Sequence, residues 1–309
     1  MPRTTPTTSF AYRSRLLVFT GMCFISLVIW GRALLSSFTL ALRDEQYTHL
    51  LLILPLSITL IWLDWKPPQS EARNSAWPGA LLLVAAGLAR LAAGLQISRL
   101  PEDQRLSIAM TGLVIWWIGA FLICFGVPAL RRALFPLCFL FWIVPLPEVM
   151  LNPIIRLLQQ GSVESGRLLF ALFGVPVAQF GTQLTIPGLT IEVARECSSI
   201  RSSLMLLVTT MVVAQMILRS PWRKSAVIAA AVPLSIAKNG LRIFVLGILT
   251  TRVDHSFISG RLHHEGGILY FAIALAVIIL LIWIARRSEV RSEVITTKPE
   301  LVESASALH

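Results

Sequence analysis

The sequence has few charged residues for its length. Charged side chains make up 14% of its 309 residues, whereas soluble domains carry about 25%. Hydrophobic residues make up 55%, and the mean hydropathy is +0.74. The composition therefore excludes an ordinary soluble domain and predicts an all-α polytopic membrane protein.

Familiar motifs for metals, nucleotides and serine hydrolases are also absent. The four cysteines show no C-x-x-C pair and no other metal-ligand spacing. The chain contains no H-E-x-x-H, no G-x-S-x-G, no Walker loop and no dinucleotide fingerprint. We therefore expect no metal and no cofactor.

A concentrated basic run is missing as well, although the formal net charge is +11. The lysines and arginines are spread through short segments between apolar runs, which is not typical of a nucleic-acid-binding surface. Anionic lipid on the cytoplasmic side of a membrane explains the excess. We predict the lipid bilayer as a partner, and no nucleic acid.

Eight apolar runs approach the length of about 20 residues that crosses a bilayer. They cover roughly residues 16–38, 49–65, 77–97, 106–126, 132–147, 199–218, 225–250 and 266–285. Before the sixth run, Asn152–Phe173 has helical apolar spacing with charges on its other faces, which predicts an interfacial or re-entrant helix. Val175–Ile191 alternates and breaks as a hairpin or an ordered loop does.

The basic residues indicate which loops face the cytoplasm. If the N-terminus is inside, every cytoplasmic segment carries a basic cluster, as the positive-inside rule requires. Eight spans then predict a cytoplasmic tail at 1–15, a membrane domain at 16–285 and a disordered cytoplasmic tail at 286–309. Cys197, Arg242 and the His263–His264 pair would share the extracytoplasmic face.

Cys197 stands among charged residues immediately before an apolar span. Ser198 and Ser199 are good N-cap residues, and the N-terminus of a following helix lowers the pKa of a thiol. Arg201 is four residues further on and adds positive charge on the same helical face. The alternative is a buried, inert cysteine at a helix end, and these residues alone leave both readings open.

Arg242 lies in K-N-G-L-R, within the seventh span, with Asn239 three residues before it. A charge inside a span is costly and is functional by default, and a guanidinium suits the stabilisation of an oxyanion. The alternative is an arginine that extends to the lipid headgroups. His263 and His264 are suited to general acid or base catalysis, with solvated loop histidines as their alternative.

At these residues the sequence resembles the exosortase/archaeosortase family of multi-span cysteine transpeptidases. Three motifs carry the resemblance in order: C-S-S-I from Cys197, N-G-L-R-I from Asn239 and H-H-E-G-G from His263. D-E-Q-Y-T-H from Asp44 and P-L-P from Pro145 agree as well. The resemblance covers roughly residues 40–285.

The resemblance implies that Cys197 is a nucleophile forming a thioacyl intermediate. It implies Arg242 as proton donor or oxyanion stabiliser and His263 as the third catalytic member. The supporting or alternative residues are His264, Asn239 and Arg201.

The implied partners are C-terminal sorting signals of exported proteins. Such a PEP-CTERM-like signal has a Pro-Glu-Pro-like motif, a transmembrane stretch and a basic tail, and would be cleaved at the outer face of the cytoplasmic membrane. The acceptor of the new carboxyl end is unknown. A non-enzymatic alternative is a transporter or assembly subunit of an envelope polysaccharide (exopolysaccharide) export system, with Arg242 and the histidines lining a polar cavity.

Overall fold

The structure is a computed structural model that describes residues 6–63, 76–94, 100–193, 200–252 and 267–306. Its helices are α1 (Pro6–Arg43), α2 (Leu50–Leu63), α3 (Ala76–Gly94), α4 (Glu102–Arg132), α5 (Leu134–Phe139), α6 (Glu148–Leu172), α7 (Ile200–Ile217), α8 (Pro221–Arg252) and α9 (Gly267–Ser306). The strands are β1 (Ala178–Phe180), β2 (Gln183–Ile186) and β3 (Leu189–Glu192). Short 3-10 turns cover Glu45–Tyr47 and Leu140–Ile143.

The helices are those of a multi-pass membrane protein. Within the described residues, seven helices are long and apolar enough to cross a bilayer. The segment Leu134–Ile143 and α6 form a further pair bent by 94°, which makes eight if the pair is one broken span. The predicted all-α polytopic architecture is confirmed.

The polar tail differs from its expected disorder. Beyond Arg286 the helix α9 continues to Ser306. The carboxylate of Glu289, 4% exposed, accepts the backbone N–H of Ser220 at 2.8 Å and that of Arg219 at 3.2 Å. These hydrogen bonds hold the first turn beyond Arg286, a contact that hydropathy does not predict. The predicted domain boundaries stay a prediction.

The chain forms two compact units, Met1–Leu151 and Asn152–His309. In the first unit, α4 packs on α3 and α1. Glycine on α4 allows α3 to approach closely: a Cβ at Gly119 would lie 3.1 Å from the carbonyl oxygen of Gly79, and one at Gly112 would lie 3.1 Å from that of Ala86. Small residues at such crossings allow the backbone contact that holds helices together in lipid.

A short helical segment, Leu134–Ile143, connects the end of α4 to a corner that contacts the start of α4. The helix α4 breaks at Gly126, whose φ is 82°, and α5 follows directly after Arg132. The next corner, Pro145–Glu148, returns to the start of α4, where Ser107 Oγ donates to the carbonyl of Pro145 at 2.6 Å. Asp103 accepts the N–H of Glu148 at 2.8 Å. This geometry fits the predicted short fifth span that ends at prolines.

The second unit is built around α7, α8 and α9, which pack on one another. Their shared core is apolar; it consists of Leu206, Ala214, Leu218, Val227, Ala231, Ala274, Ile278 and Ile282. Because α7 and α8 are joined only by residues 218–220, they form an antiparallel helical hairpin. The hairpin carries the polar residues that the sequence places inside the membrane.

A three-stranded antiparallel sheet, in the order β1–β2–β3, follows α6. Two-residue turns join its strands, and each contains a glycine with positive φ, Gly181 at 60° and Gly188 at 83°, a conformation that glycine adopts without strain. Leu184 and Ile186 of β2 are buried on one face, against Phe170 of α6 and Ile243 of α8. The predicted hairpin is therefore part of a three-stranded meander.

Candidate active site

Two hydrogen bonds define the register of the α7–α8 hairpin. Near the connection, Lys224 Nζ donates to Gln215 Oε1 at 2.8 Å. At the other end, Lys238 Nζ donates to Ser202 Oγ. In each pair, the two residues are equally far along the chain from the connection at residues 219–220, as an antiparallel hairpin requires. Arg242 lies one turn, about 6 Å, beyond Lys238 on α8, at the end of the hairpin where α7 begins.

The stretch from Lys238 to Arg242 is a polar patch on an otherwise apolar helix. Lys238 is 6% exposed and Asn239 is 1% exposed, while Arg242 is partly buried. The charges of Lys238 and Arg242 act on each other. Burying such side chains inside a span is expensive unless they are used, so this patch marks the candidate site.

The start of α9 reaches the same patch. Tyr270, on the first turn of α9, is 7% exposed, and its phenol interacts electrostatically with Arg242. Arg242 thus lies where the beginnings of α7 and α9 meet α8. In the sequence, Cys197 precedes α7, and His263 and His264 precede α9.

On another side, α6 crosses α8 at close range. A Cβ at Gly240 would lie 3.0 Å from the backbone nitrogen of Gly166 and closer still to the side chain of Ser165. Two turns further on, a Cβ at Gly247 would lie 2.6 Å from Phe170 Cζ. These glycines therefore set the position of the polar patch relative to α6.

The chain entering the 194–199 segment is held by two hydrogen bonds. The N–H of Val193 donates to the carbonyl of Thr182 at 3.0 Å, and the carbonyl of Val193 accepts from Gln159 Nε2 on α6. Ile200, where α7 begins, is 4% exposed. Val193 and Ile200 are therefore the described residues that flank the segment containing Cys197 in the sequence.

The predicted site residues divide into two groups. Arg242 and Asn239 lie together on α8, and Arg201 is exposed on the first turn of α7. Cys197, His263 and His264 lie outside the described residues, so their assignments stay predictions. What the structure does bring together is Arg242, the start of α7 and the start of α9.

Comparison with known protein families shows the family to which the chain belongs. A family model described as transmembrane exosortase matches residues 41–280. The chain belongs to the transmembrane exosortase family. No curated protein and no solved structure matches it. Exosortases are membrane proteins of the sorting and transpeptidase type, and the family is generally one of cysteine transpeptidases.

Two residues of this exosortase reach the patch without having been singled out from the sequence. Ser202 bonds Lys238, and Tyr270 is close enough to Arg242 to interact with its charge. Ser202 belongs to the serine-rich stretch that follows Cys197, and Tyr270 is a hydroxyl-bearing side chain near the start of an apolar span. The sequence shows both hydroxyl-bearing residues, but it does not indicate which residue each hydroxyl would contact.

The first unit of the exosortase contains a cavity that is apolar, unlike the polar patch on α8. It has a volume of about 450 Å³ and lies between α1, α2, α4 and α5. Its lining is dominated by aliphatic and aromatic side chains such as Leu16, Phe19 and Trp62. Without a cluster of polar groups, such a cavity suits hydrocarbon rather than catalysis.

Proposed function

We propose that this exosortase is a membrane-embedded cysteine transpeptidase or protease that cleaves C-terminal sorting signals of exported proteins. In this proposal Cys197 is the nucleophile, Arg242 stabilises the oxyanion and His263 transfers protons. The reaction takes place at the extracytoplasmic face of the cytoplasmic membrane. His264 is the alternative proton carrier, and Asn239 and Arg201 support the site.

The observation that supports this assignment most strongly is the convergence at Arg242. Lys238, one turn from Arg242 on α8, bonds Ser202 on the first turn of α7. In the sequence, Cys197 is three residues before Ile200, where α7 begins. Tyr270 brings the start of α9 to the same guanidinium, and His263 is four residues before Gly267. Arg242 is thus near the starts of two helices, and in the sequence the Cys197 and His263 motifs immediately precede those helices.

The first chemical step forms a thioester. The Cys197 thiolate adds to the carbonyl carbon of the scissile peptide bond, and the resulting oxyanion is stabilised by the guanidinium of Arg242. His263 donates a proton to the departing nitrogen as the C–N bond breaks. The products are a free amine on the cleaved signal and an acyl group on the cysteine sulfur.

The second step releases the sulfur. An amine of the acceptor, or water, loses a proton to His263 and attacks the thioester carbonyl. The C–S bond then breaks, and the thiolate of Cys197 is regenerated. An amine yields a transpeptidation product, whereas water yields a free carboxylate. The proposal includes both acceptors.

The membrane location suits a substrate that carries its own transmembrane stretch. A single apolar span in the sorting signal would keep the scissile bond close to the lipid interface. Anchoring both partners in the same membrane raises their effective concentration, so a modest contact area is sufficient for binding.

The decisive test is the variant Cys197→Ala. The reporter is an exported protein that ends in a Pro-Glu-Pro motif, an apolar stretch of about 20 residues and a basic tail, co-expressed with the exosortase. We expect trimming of the reporter to stop, because alanine has no sulfur to form the acyl intermediate. The readout is the mass of the reporter, together with a hydroxylamine-sensitive adduct between the reporter and the native enzyme.

The matched control is Cys138→Ala, which removes an exposed thiol from α5. We expect it to trim the reporter at the native rate. Trimming by Cys197→Ala at the native rate would contradict the nucleophile assignment and favour the non-enzymatic alternative.

A further inference from the structure

The sheet of the second unit has two edges, β1 and β3, because its strand order is β1–β2–β3. Of these, β3 is the one that continues towards Cys197, which lies five residues beyond Glu192. An extended chain of five residues spans at most about 17 Å. The edge of β3 is therefore close along the chain to the proposed nucleophile.

The pairing of β3 with β2 shows which of its backbone groups point outwards. Residues directly opposite in an antiparallel ladder alternate between hydrogen-bonded and non-hydrogen-bonded pairs. The N–H of Val193 bonds to Thr182 on the β2 side, so Ile191 and Leu189 also direct their N–H and C=O groups to β2. By the same alternation, the groups of Thr190 and Glu192 point to the open edge.

Among the described residues, the other contacts of β3 are made on one face of the sheet and not along that edge. Ile191 directs its side chain to the buried face, where its Cδ1 lies 3.0 Å from a Cβ built at Gly247 of α8. The helix therefore covers the apolar face of the sheet. Thr190 and Glu192 are exposed, and the described structure shows no backbone hydrogen bond from their N–H groups.

We propose that the open edge of β3 binds the extended segment of the substrate next to its scissile bond, as a fourth strand of the sheet. This inference rests on the proposed function. A peptide bond inside a helix has its carbonyl engaged in a hydrogen bond and packed against side chains, so a thiolate reaches only an extended segment. Main-chain hydrogen bonds to Thr190 and Glu192 would hold such a segment while tolerating different side chains.

The opposite edge offers a matched control. Gln179 is the middle residue of β1, and its neighbours Ala178 and Phe180 pair with Thr185 and Gln183. Since a two-residue turn joins β1 to β2, the pair nearest the turn is hydrogen-bonded, and alternation directs the N–H of Gln179 outwards. Thr190 and Gln179 thus present the same backbone group at two edges of one sheet.

The first experiment measures binding without catalysis. The photoreactive residue p-benzoylphenylalanine is placed at position 190 or at position 179 of the Cys197→Ala chain, which is co-expressed with the Pro-Glu-Pro reporter and irradiated. We expect a crosslink from position 190 at least tenfold stronger than from position 179. Equal crosslinking from the two positions would overturn the inference.

The second experiment removes one outward N–H at a time. Proline lacks the N–H and is tolerated at the open side of an edge strand. We expect Thr190→Pro to raise the KM for the reporter about fivefold with little change in kcat, which corresponds to one main-chain hydrogen bond of about 1 kcal/mol. Gln179→Pro, which removes the same group from the opposite edge of the sheet, should match the native chain.

The outcomes separate the two proposals. If the native chain trims the reporter but Thr190→Pro and Gln179→Pro have the same KM as the native chain, the β3 edge is not the docking site and the proposed function stands. If the native chain neither trims nor crosslinks the reporter, the proposed function is contradicted, and this inference with it.

Discussion

Lys238 and Arg242 place two cations one helical turn apart inside a span. Lys238 donates to a neutral hydroxyl, that of Ser202, and its charge acts on that of Arg242. A second cation beside Arg242 makes the local potential more positive, and this favours a negative charge in the same place. The tetrahedral oxyanion of acyl transfer is such a charge, so the residues fit the proposed chemistry.

The variant Arg242→Lys tests the guanidinium at the residue scale. Lysine keeps the positive charge but lacks the planar fork of donors, so we expect membrane insertion to be normal and reporter trimming to fall about 100-fold or more. The initial rate of trimming and the amount of enzyme in the membrane are measured together.

The control for this variant is Arg252→Lys, at the exposed end of α8. It makes the same chemical change ten residues away and should trim the reporter at the native rate. Native activity in Arg242→Lys would instead support an arginine that only extends to the headgroups.

At the scale of elements, the crossing of α6 and α8 positions the polar patch. Glycine occurs at four contact points of this crossing: Gly161, Gly166, Gly240 and Gly247. In lipid, apolar side chains gain little by leaving the hydrocarbon, and close backbone packing supplies much of the association energy. A bulky side chain at the crossing would therefore shift the helix that carries Arg242.

The variant Gly240→Leu tests this crossing. A Cβ there would lie 3.0 Å from the backbone nitrogen of Gly166, which cannot move aside as a flexible side chain would. We expect a destabilisation of about 3 kcal/mol or more and loss of reporter trimming. The midpoint of thermal unfolding in detergent is the measurement.

The control is Gly87→Leu on α3, where a Cβ would meet nothing within 4 Å. This change adds the same side chain to a helix that faces open space. An unfolding midpoint of Gly240→Leu that equals that of Gly87→Leu would show that the crossing does not depend on glycine.

At the scale of the whole molecule, the number of crossings determines the side on which the site lies. The corner Pro145–Glu148 contacts the start of α4, and this favours one crossing by the segment at 134–147. With eight crossings, the sheet is extracytoplasmic and the α7–α8 connection is cytoplasmic. If the bent pair only re-enters, the two positions exchange sides and the basic cluster at Arg219, Arg223 and Lys224 faces outwards, against the positive-inside rule.

Accessibility labelling distinguishes these arrangements. Thr185→Cys on the sheet and Trp222→Cys at the start of α8 are made in a chain whose native cysteines are alanines. In right-side-out membrane vesicles, an impermeant maleimide should label Thr185→Cys at once and Trp222→Cys only after permeabilisation. Glu102→Cys, at the start of α4, is the control for a residue on the outer side. Labelling of Trp222→Cys at once and of Thr185→Cys only after permeabilisation would contradict the eight-span topology.

Much of the architecture follows from the sequence for a simple physical reason. A backbone in hydrocarbon must satisfy its own hydrogen bonds, so long apolar runs determine helices such as α4 and α8, and basic residues beside them determine the expected orientation. The sequence also indicates functional residues. Arg242 and Asn239 are polar side chains inside a span, where burial costs free energy and a functional role is the default interpretation. Cys197 and His263 were predicted from motif and topology, and they stay predictions.

The contacts among those helices depend on tertiary structure. Hydropathy is the same whichever apolar helices are neighbours. The sequence therefore did not determine that Ser202 bonds Lys238, or that Gly240 packs against the backbone of α6. Shape and hydrogen-bond complementarity between distant segments decide these contacts. They also decide which edge of the sheet stays open, because the strand order is set by pairing and by the packing of its apolar face on α8.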